Sequence, residues 1–474
     1  MTKLDPTFRS ALDTAYEQSI AYLESLDQLS VAATADVYQL RKQLTHKLTE
    51  EGIDPQQAIA ELARDVQGGL LGTAGGRFFG WVIGGVLPAA LAADWLTSAW
   101  QQNAALYACS PAAAVVEEIV GDWLKDILRL PPSVSFALVT GCQMAHVTCM
   151  AAARHSLLAR RGWDVERQGL FSAPVIKILT STERHGSFER AVRLLGFGTD
   201  QIKLLATDDQ GRLLPDALDK HLASDRESPT MVLLQAGDIN IGAYDNFETL
   251  VPIAKEYGAW VHVDGAFGLW AGATDRLRYL VKDIDDADSW ATDGHKMLNV
   301  PFDCGFAFVK DSDSHRASLA SHASYITHVS NARDEMDWNP EWSRRSRAFS
   351  VYAALRQLGR KGVADLMDGC CDHARSIVTR IGELDGAEML WEPTINQGLV
   401  RFIDPRPGAT DVDHDTYTEK VIAGILESGE AFFGATTWRG RRAMRVSVCN
   451  WRTSEDDVER VVQAVKEVLR TVVS

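Results

Sequence analysis

Cysteine is scarce in this sequence: seven residues among 474, an odd number, scattered along the chain and without a C-x-x-C pair. This usage excludes both a disulfide framework and a zinc knuckle, and it favours a reducing compartment. We therefore expect a cytoplasmic protein that is held together by a hydrophobic core. A chain of this length can bury such a core without covalent cross-links.

Positive charge and long apolar runs are also lacking. The 48 lysines and arginines stand against 64 aspartates and glutamates, and no basic run is long enough for a polyanion-binding face, so no nucleic-acid partner is expected. One uncharged apolar stretch, residues 78–93, contains a proline and is shorter than the about 20 residues of a membrane-spanning helix. The charged N-terminus has no signal-peptide core, so no membrane partner is expected.

Short apolar runs alternate with helical periodicity in the middle of the chain. We predict strands at 133–139, 174–180, 230–236, 259–264, 287–292 and 304–309. Such alternation is typical of a largely parallel sheet with helices on both faces. We expect an α/β fold in three parts: an N-terminal helical segment 1–70, a large α/β domain 71–325, and a small C-terminal α+β domain 326–474.

Two candidate catalytic residues follow predicted strands. Asp264 ends the run 259–264 and precedes the small residues Gly265 and Ala266, while Lys296 lies in a turn after the run 287–292. Ligands of open α/β sheets bind beyond the carboxyl ends of the strands. An acid and a lysine from two such ends can therefore meet at one ligand.

Two further segments add a planar side chain and an anion site. The strand predicted at 174–180 leads to His185, and another strand ends before Gly141, where a helix begins near Cys142 and Gln143. The start of a helix offers free N–H groups to a phosphate. Acid, lysine, planar ring and anion site are what pyridoxal phosphate requires, because the lysine forms a Schiff base and the carboxylate keeps the pyridine nitrogen protonated.

In these segments the chain resembles the fold-type I pyridoxal phosphate enzymes, and specifically the group II amino-acid decarboxylases, relatives of the aromatic-amino-acid and glutamate decarboxylases. The matching motifs are H-V-D-x-A at 262–266, D-S-x-x-x-x-x-H-K at 288–296 and S-x-x-x-H-x-S at 181–187, with weaker matches at 110–124, 237–245 and 343–359. The resemblance implies an aspartate aminotransferase-like fold with a mostly parallel central sheet. It also implies that the protein converts an L-amino acid to the corresponding amine.

The resemblance also implies roles for individual residues. Lys296 forms the Schiff base, Asp264 pairs with the pyridine nitrogen, His185 stacks on the ring, and Ala266 packs against its other face. The remaining cofactor-binding candidates are Gly141, Cys142, Gln143, Asn240 and His295. Arg445 falls where the family often places an arginine for the substrate carboxylate, although an arginine in an edge strand is frequently only a surface residue.

Two segments depart from the family pattern. The stretch 328–342, where the family carries a mobile loop with a tyrosine that helps to protonate Cα, is short and has no tyrosine; Tyr325 aligns with the start of the loop. Relatives without that hydroxyl can carry out oxidative deamination or form an aldehyde. The phosphate turn has Cys142, Gln143, Met144 and His146 where small hydroxyl residues, Asn or Thr are common.

Other functions remain open. Transamination, aldol cleavage and elimination use the same lysine, acid and phosphate turn. His262, Asp264 and His295 suggest a metal site for hydrolysis, which would leave the lysine without a purpose. A cofactor-binding protein without turnover is the last alternative.

The remaining patterns have simpler interpretations. His146 and His155 fall on a predicted helix and are expected to be core or surface residues, and Cys370 and Cys371 a buried helix pair. The thirteen tryptophans are expected to fill the core and a subunit interface. By resemblance, we expect a homodimer with its pocket between the two protomers.

Overall fold

The structure, a computed structural model, describes residues 5–321, 328–329 and 332–472; Tyr325 lies outside them. Its helices are α1 Pro6–Ser25, α2 Val37–Leu44, α3 Pro55–Asp65, α4 Pro88–Trp100, α5 Pro111–Ile127, α6 Cys142–Ala159, α7 Val165–Gln168, α8 Gly186–Leu194, α9 Pro215–Ser224, α10 Phe247–Glu256, α11 Ser312–Leu319, α12 Ala348–Gly382, α13 Asp411–Ser428 and α14 Glu455–Val472. Its strands are β1 Phe78–Phe79, β2 Ser135–Val139, β3 Lys177–Ser181, β4 Ile202–Leu205, β5 Thr230–Gln235, β6 Trp260–Asp264, β7 Ser289–Asp293, β8 Gly305–Val309, β9 Ala387–Trp391, β10 Gln397–Phe402, β11 Phe432–Trp438 and β12 Arg441–Ser447.

Seven strands form the central sheet in the order β2-β8-β7-β6-β5-β3-β4. Only β8 runs against its neighbours, β2 and β7, while the other pairs are parallel. The prediction of a mostly parallel α/β sheet is confirmed. Helices cover both faces and leave β5, β6 and β7 buried along their whole length, which is why these strands appear in the sequence as continuous apolar runs.

The parallel register aligns the carboxyl ends of three central strands. Asp264, at the end of β6, pairs with Gln235 of β5 on one side and with Ala291 of β7 on the other. Asp293 is the last residue of β7. The loops that leave these strands therefore meet at one edge of the sheet.

A second sheet has the order β1-β11-β12-β10-β9 and is antiparallel except for the pair β1 and β11. Arg445 lies on β12, between β10 and β11, and is only 7% exposed. The interpretation of Arg445 as a surface residue on an edge strand is therefore wrong.

Two helices of the C-terminal part have informative ends or breaks. α12 is interrupted at Gly359, where φ is 62°. At the start of α14, Ser454 accepts a hydrogen bond from the N–H of Asp457, and the hydroxyl of Thr453 donates to the carbonyl of Gly76.

The glycine-rich stretch before α4 packs against the turn that carries Lys296. The N–H of Gly84 donates to the carbonyl of His295, 3.2 Å away. A Cβ at position 84 would lie 2.0 Å from the carbonyl oxygen of Lys296, so only glycine permits this approach. In the described part of the chain, no helix is long and apolar enough to cross a membrane.

Candidate active site

A cavity of about 230 Å³ lies at the carboxyl edge of the central sheet. The predicted site residues that line it are Gly141, Cys142, Gln143, His185, Asp264, Ala266, His295 and Lys296. They come from the start of α6, the segment before α8, and the ends of β6 and β7. The fold therefore brings eight of the sequence-based candidates to one place.

Lys296 is held by an acid that the sequence analysis missed. Its Nζ lies 2.9 Å from Oδ2 of Asp293, whose Oδ1 accepts a 2.6 Å hydrogen bond from the N–H of Cys142. Burial alone would lower the pKa of Lys296, but the negative charge of Asp293 outweighs burial and raises that pKa above its usual value. The sequence feature that could have indicated this contact is the position of Asp293, three residues before Lys296.

Asp264 is a buried residue of the cavity wall. Its Oδ1 accepts a hydrogen bond from the N–H of Ala266 at 3.1 Å, and its Oδ2 lies 3.4 Å from Nε2 of His146. Burial would raise the pKa of Asp264, but the charge and hydrogen bond of His146, together with the charges of His185 and Lys296, hold it below its usual range. The structure therefore favours an ionised carboxylate at this position.

His146 has a closer relation to the site than the sequence analysis expected. His146 is fully buried, which agrees with the expectation of a core residue. It also contacts Asp264. Its Nδ1 lies 2.9 Å from Nε2 of His262. The signal for this position was its spacing: residues four apart share a helix face, which places His146 beside Cys142, with Nε2 and Sγ 3.5 Å apart.

Two histidines lie at the mouth of the cavity. His185 precedes α8, and its Nδ1 is 2.8 Å from the hydroxyl of Ser187. The Nδ1 of His295 accepts a hydrogen bond from the N–H of Cys304, and its Nε2 lies 3.5 Å from Asp293. Burial lowers the pKa of His295, which favours a neutral ring.

Asn240 and Arg445 are not among the residues that line the cavity. Asn240 Oδ1 accepts a hydrogen bond from the hydroxyl of Thr436, 2.7 Å away, in the second sheet. Arg445 lies closer: its Nη1 donates to the carbonyl of Ile239, and Ile239 lines the cavity. Its Nε has no hydrogen-bond partner, and among the described residues no carboxylate lies within 4.0 Å of this buried guanidinium.

The structure does not bring His262, Asp264 and His295 together as the hydrolytic metal site would require. His262 points away from the cavity, with Nδ1 2.9 Å from the hydroxyl of Ser289. Within the described ranges, the side-chain donor atoms that cluster around Asp264 are those of Cys142 and His146.

The described part of the stretch 328–342 packs against the body of the protein. The N–H of Met336 donates to the carbonyl of Ala105, and the Trp338 ring packs edge-on against His315 at a centroid distance of 5.3 Å. None of its described residues lines the cavity. Residues 332–342 therefore do not cover the site in this conformation.

Comparison with known proteins decides the family. Residues 38–403 match the pyridoxal-dependent decarboxylase conserved domain. The chain belongs to this family. It is 25% identical to an aromatic-L-amino-acid decarboxylase of Bacillus atrophaeus, over 97% of this chain and 94% of the relative. It is 26% identical to a phenylacetaldehyde synthase of a Rosa hybrid cultivar, over 96% and 92% of the two chains. The crystal structure of Oryza sativa TDC with PLP and tryptamine superposes over the full length of both chains with a TM-score of 0.93 and 21% identity.

Membership identifies the cofactor as pyridoxal phosphate and the protein as an amino-acid carboxy-lyase. The site fits this cofactor. A lysine and an ionised acid face one cavity, and the first turn of α6, whose N–H groups have no acceptor within the helix, begins at the same cavity with Gly141. One N–H of that turn, from Cys142, is already bound to Asp293, so the phosphate turn predicted at 141–143 is partly occupied by a side chain of the protein itself.

Proposed function

We propose that this decarboxylase converts an L-amino acid to the corresponding amine, with Lys296, Asp264 and His185 as its catalytic residues. The observation that carries this proposal is the convergence of a partly buried lysine and a buried aspartate, whose pKa lies below its usual range, on one cavity. Pyridoxal phosphate, when bound, supplies a conjugated ring that accepts the electron pair of the cleaved Cα–carboxylate bond.

Each residue has a separate task in this proposal. Lys296 Nζ would hold the cofactor covalently and must lose a proton to do so. Asp264 would accept a hydrogen bond from the protonated ring nitrogen. His185 and Ala266 would lie on the two faces of the ring, and Gly141, Cys142, Gln143 and His295 would surround the phosphate. Asn240 supports the turn after β5 through its bond to Thr436.

The test is product analysis after incubation of the holoprotein with pooled L-amino acids, with Lys296→Ala as the control. The proposal predicts an amine, with release of carbon dioxide, from the wild-type protein only. A keto acid without carbon dioxide would indicate transamination and would contradict decarboxylation.

Aldehyde formation is the second candidate function. It is favoured by the lack of a tyrosine in 328–342 and by the similarity to a protein named phenylacetaldehyde synthase. In that reaction, amino acid, dioxygen and water yield aldehyde, carbon dioxide, ammonia and hydrogen peroxide. Oxygen uptake and peroxide formation in step with carbon dioxide release would favour this candidate, whereas amine without oxygen uptake would exclude it.

Loading of the cofactor is expected to speed up when Asp293 is replaced by asparagine. Asp293 raises the pKa of Lys296. Only the unprotonated amine of Lys296 can react with the cofactor, and its fraction increases as the pH rises toward that pKa. In Asp293→Asn the negative charge beside Lys296 is removed, while burial still lowers the pKa of Lys296. The unprotonated fraction of Lys296 at pH 7 rises about tenfold for each unit by which its pKa falls. Stopped-flow absorbance of apoprotein mixed with cofactor measures the rate. The exposed Asp285→Asn is the control, and an equal rate in all three proteins would contradict this role of Asp293.

Arg445 is proposed to bind the substrate carboxylate. Its buried guanidinium has no acidic partner in the described part of the chain, and it reaches the cavity wall through Ile239. Charge-assisted hydrogen bonds contribute about 1.5–3 kcal/mol, so Arg445→Gln is expected to raise KM about tenfold or more. Because no ion pair is lost, the free energy of unfolding should fall by no more than about 0.5–1.5 kcal/mol, the contribution of the one hydrogen bond to Ile239. Steady-state kinetics measure the KM and thermal unfolding measures the stability. The control is Arg441→Gln, which replaces an exposed arginine. An unchanged KM in Arg445→Gln would contradict the proposed binding of the substrate carboxylate.

We also propose a homodimer in which α1 lies at the subunit contact. Phe8, Leu12 and Tyr16 recur four residues apart on α1 and are each more than half exposed, so they form one exposed apolar stripe, which Trp95 of α4 contacts edge-on at Tyr16. An apolar groove of about 950 Å³ lies beside them, between α1, α3 and α4. A second copy of the chain would cover these surfaces.

Leu12→Asp is expected to shift the protein from dimer to monomer, because it places a charge in the apolar stripe. Light scattering after size exclusion measures the mass. Leu194→Asp on α8 is the matched control, since Leu194 is also exposed (64%, against 58% for Leu12) and lies outside the stripe. A wild-type monomer, or a dimer that tolerates Leu12→Asp, would contradict the proposal.

The three-part division at 1–70, 71–325 and 326–474 is retained as a proposal. The central sheet falls within the second part and most of the second sheet within the third, although β1 of the second part joins the second sheet. A cytoplasmic location is proposed on the basis of the seven free thiols.

A further inference from the structure

Behind Asp264, buried polar side chains form a continuous row. Asp264 Oδ2 lies 3.4 Å from His146 Nε2, and His146 Nδ1 lies 2.9 Å from His262 Nε2. His262 Nδ1 is 2.9 Å from Ser289 Oγ, which accepts a hydrogen bond of 2.9 Å from the indole N–H of Trp260. The row leads from the cavity through α6 into the centre of the sheet, and each of its members is less than a tenth exposed.

The chemistry of the two ends gives the row a direction. An indole nitrogen can only donate, and an ionised carboxylate can only accept. Burial lowers the pKa of His262 to about 3, so that ring is neutral and carries one N–H. A direction consistent with both ends is that Ser289, which accepts from Trp260, donates to His262 Nδ1, and that His262 donates from Nε2 to His146 Nδ1.

This order leaves the proton of His146 on Nε2, the atom that faces Asp264. It is the arrangement in which each of these hydrogen-bonding atoms has a matched partner. The other groups around Asp264 are the N–H of Ala266 at 3.1 Å, the Cys142 thiol at 3.7 Å, and the charges of His185 and Lys296. A buried carboxyl tends to take up a proton, and donors aimed at it oppose that tendency.

We propose that His146, oriented by His262, is a positioning residue that keeps Asp264 in its carboxylate form, so that the carboxylate can hold a proton on the cofactor ring nitrogen. The inference rests on the proposed role of Asp264. His146 touches neither the cavity nor the reacting atoms, and it acts through Asp264.

The test compares the affinities of each protein for pyridoxal phosphate and for an analogue in which the ring nitrogen is replaced by C–H. Wild type is expected to prefer the natural cofactor. His146→Leu removes the donor and should reduce this preference about tenfold or more, the effect typical of losing a hydrogen bond to a charged group. His146→Gln can keep an N–H near the position of Nε2 and should retain most of the preference.

His315→Leu is the matched control. His315 is also fully buried and hydrogen-bonded, to Ser135 and to the carbonyl of Trp338, but it lies away from the cavity. Its replacement should leave the preference at the wild-type value. A reduced preference in His315→Leu as large as that in His146→Leu would mean that loss of any buried histidine has this effect, and would overturn the inference.

Two measurements separate the possible failures. If Asp264→Asn keeps the full preference, the proposed role of Asp264 itself is wrong. If Asp264→Asn loses the preference but His146→Leu keeps it, only the present inference is wrong. Should His146→Leu not fold, ¹⁵N spectra of histidine-labelled wild-type protein decide: the inference requires His262 to be neutral with its proton on Nε2, and a proton on Nδ1 would overturn it.

Discussion

Lys296→Ala is expected to abolish turnover while leaving the protein folded. Lys296 is the lysine that lines the cavity and faces Asp293 and Asp264, so the variant loses both the covalent link to the cofactor and the amine that can move a proton. Loss of a general acid–base group alone costs about 10²–10⁴-fold in rate, and loss of the covalent link adds to that. Carbon dioxide release in single-turnover experiments measures the effect.

The control for this variant is Lys310→Ala, which removes an exposed lysine at the end of β8 and should retain wild-type activity. Thermal unfolding of both variants shows whether the fold is intact. If Lys296→Ala kept more than about a hundredth of the wild-type rate, another group would have to perform the reaction, and the assignment of this lysine would be wrong.

Asp264→Ala is expected to retain bound cofactor but to lose most turnover. The carboxylate is ionised in the structure, because His146, His185 and Lys296 outweigh the effect of burial on its pKa, and only an ionised acid can hold a proton on the ring nitrogen. Without it the ring is a poor electron acceptor. We expect a visible absorbance band close to that of wild type and a kcat lower by about 10²-fold or more.

The low pKa of Asp264 also predicts the pH dependence of the wild-type protein. Because this pKa lies below its usual range, protonation of Asp264 should not limit activity between about pH 5 and pH 8. Any loss of kcat in that interval must therefore come from another group. Full turnover in Asp264→Ala at any pH would contradict the role assigned to this residue.

The strands that the sequence analysis found and those that it missed differ in burial. β2, β5, β6, β7 and β8 are buried along their whole length, so their sequences are continuous apolar runs. Of the strands that were missed, β4, β9 and β11 have mixed or partial burial, and β1 is buried but only two residues long. The sequences of the first three are less apolar, and their strand conformation depends on pairing with distant segments.

The site shows the same division between local and distant information. Lys296, Asp264 and His185 were identified because each belongs to a short motif next to a predicted strand end. His146 and Asp293 were not, because their roles depend on contacts between segments far apart in the chain: His146 of α6 reaches Asp264 of β6, and Asp293 of β7 binds the first N–H of α6. Helix and strand patterns do not specify which side chains meet when these elements pack.

The residues implied by the family resemblance lie at different distances from the cavity. Lys296, Asp264 and His185 line it, whereas Asn240 and Arg445 do not. Arg445 reaches the wall through the carbonyl of Ile239. A small movement of the turn after β5 would therefore be needed before Arg445 could bind substrate directly, and the KM of Arg445→Gln tests whether it does so.

The central claim of this account is that Lys296 binds the cofactor in the cavity shared with Asp264. Borohydride reduction of the wild-type holoprotein fixes the cofactor to the lysine that carries it, and peptide mapping by mass spectrometry then locates the modified residue. The account predicts a single pyridoxyl group, on Lys296. A pyridoxyl group on any other lysine, with Lys296 unmodified, would contradict it.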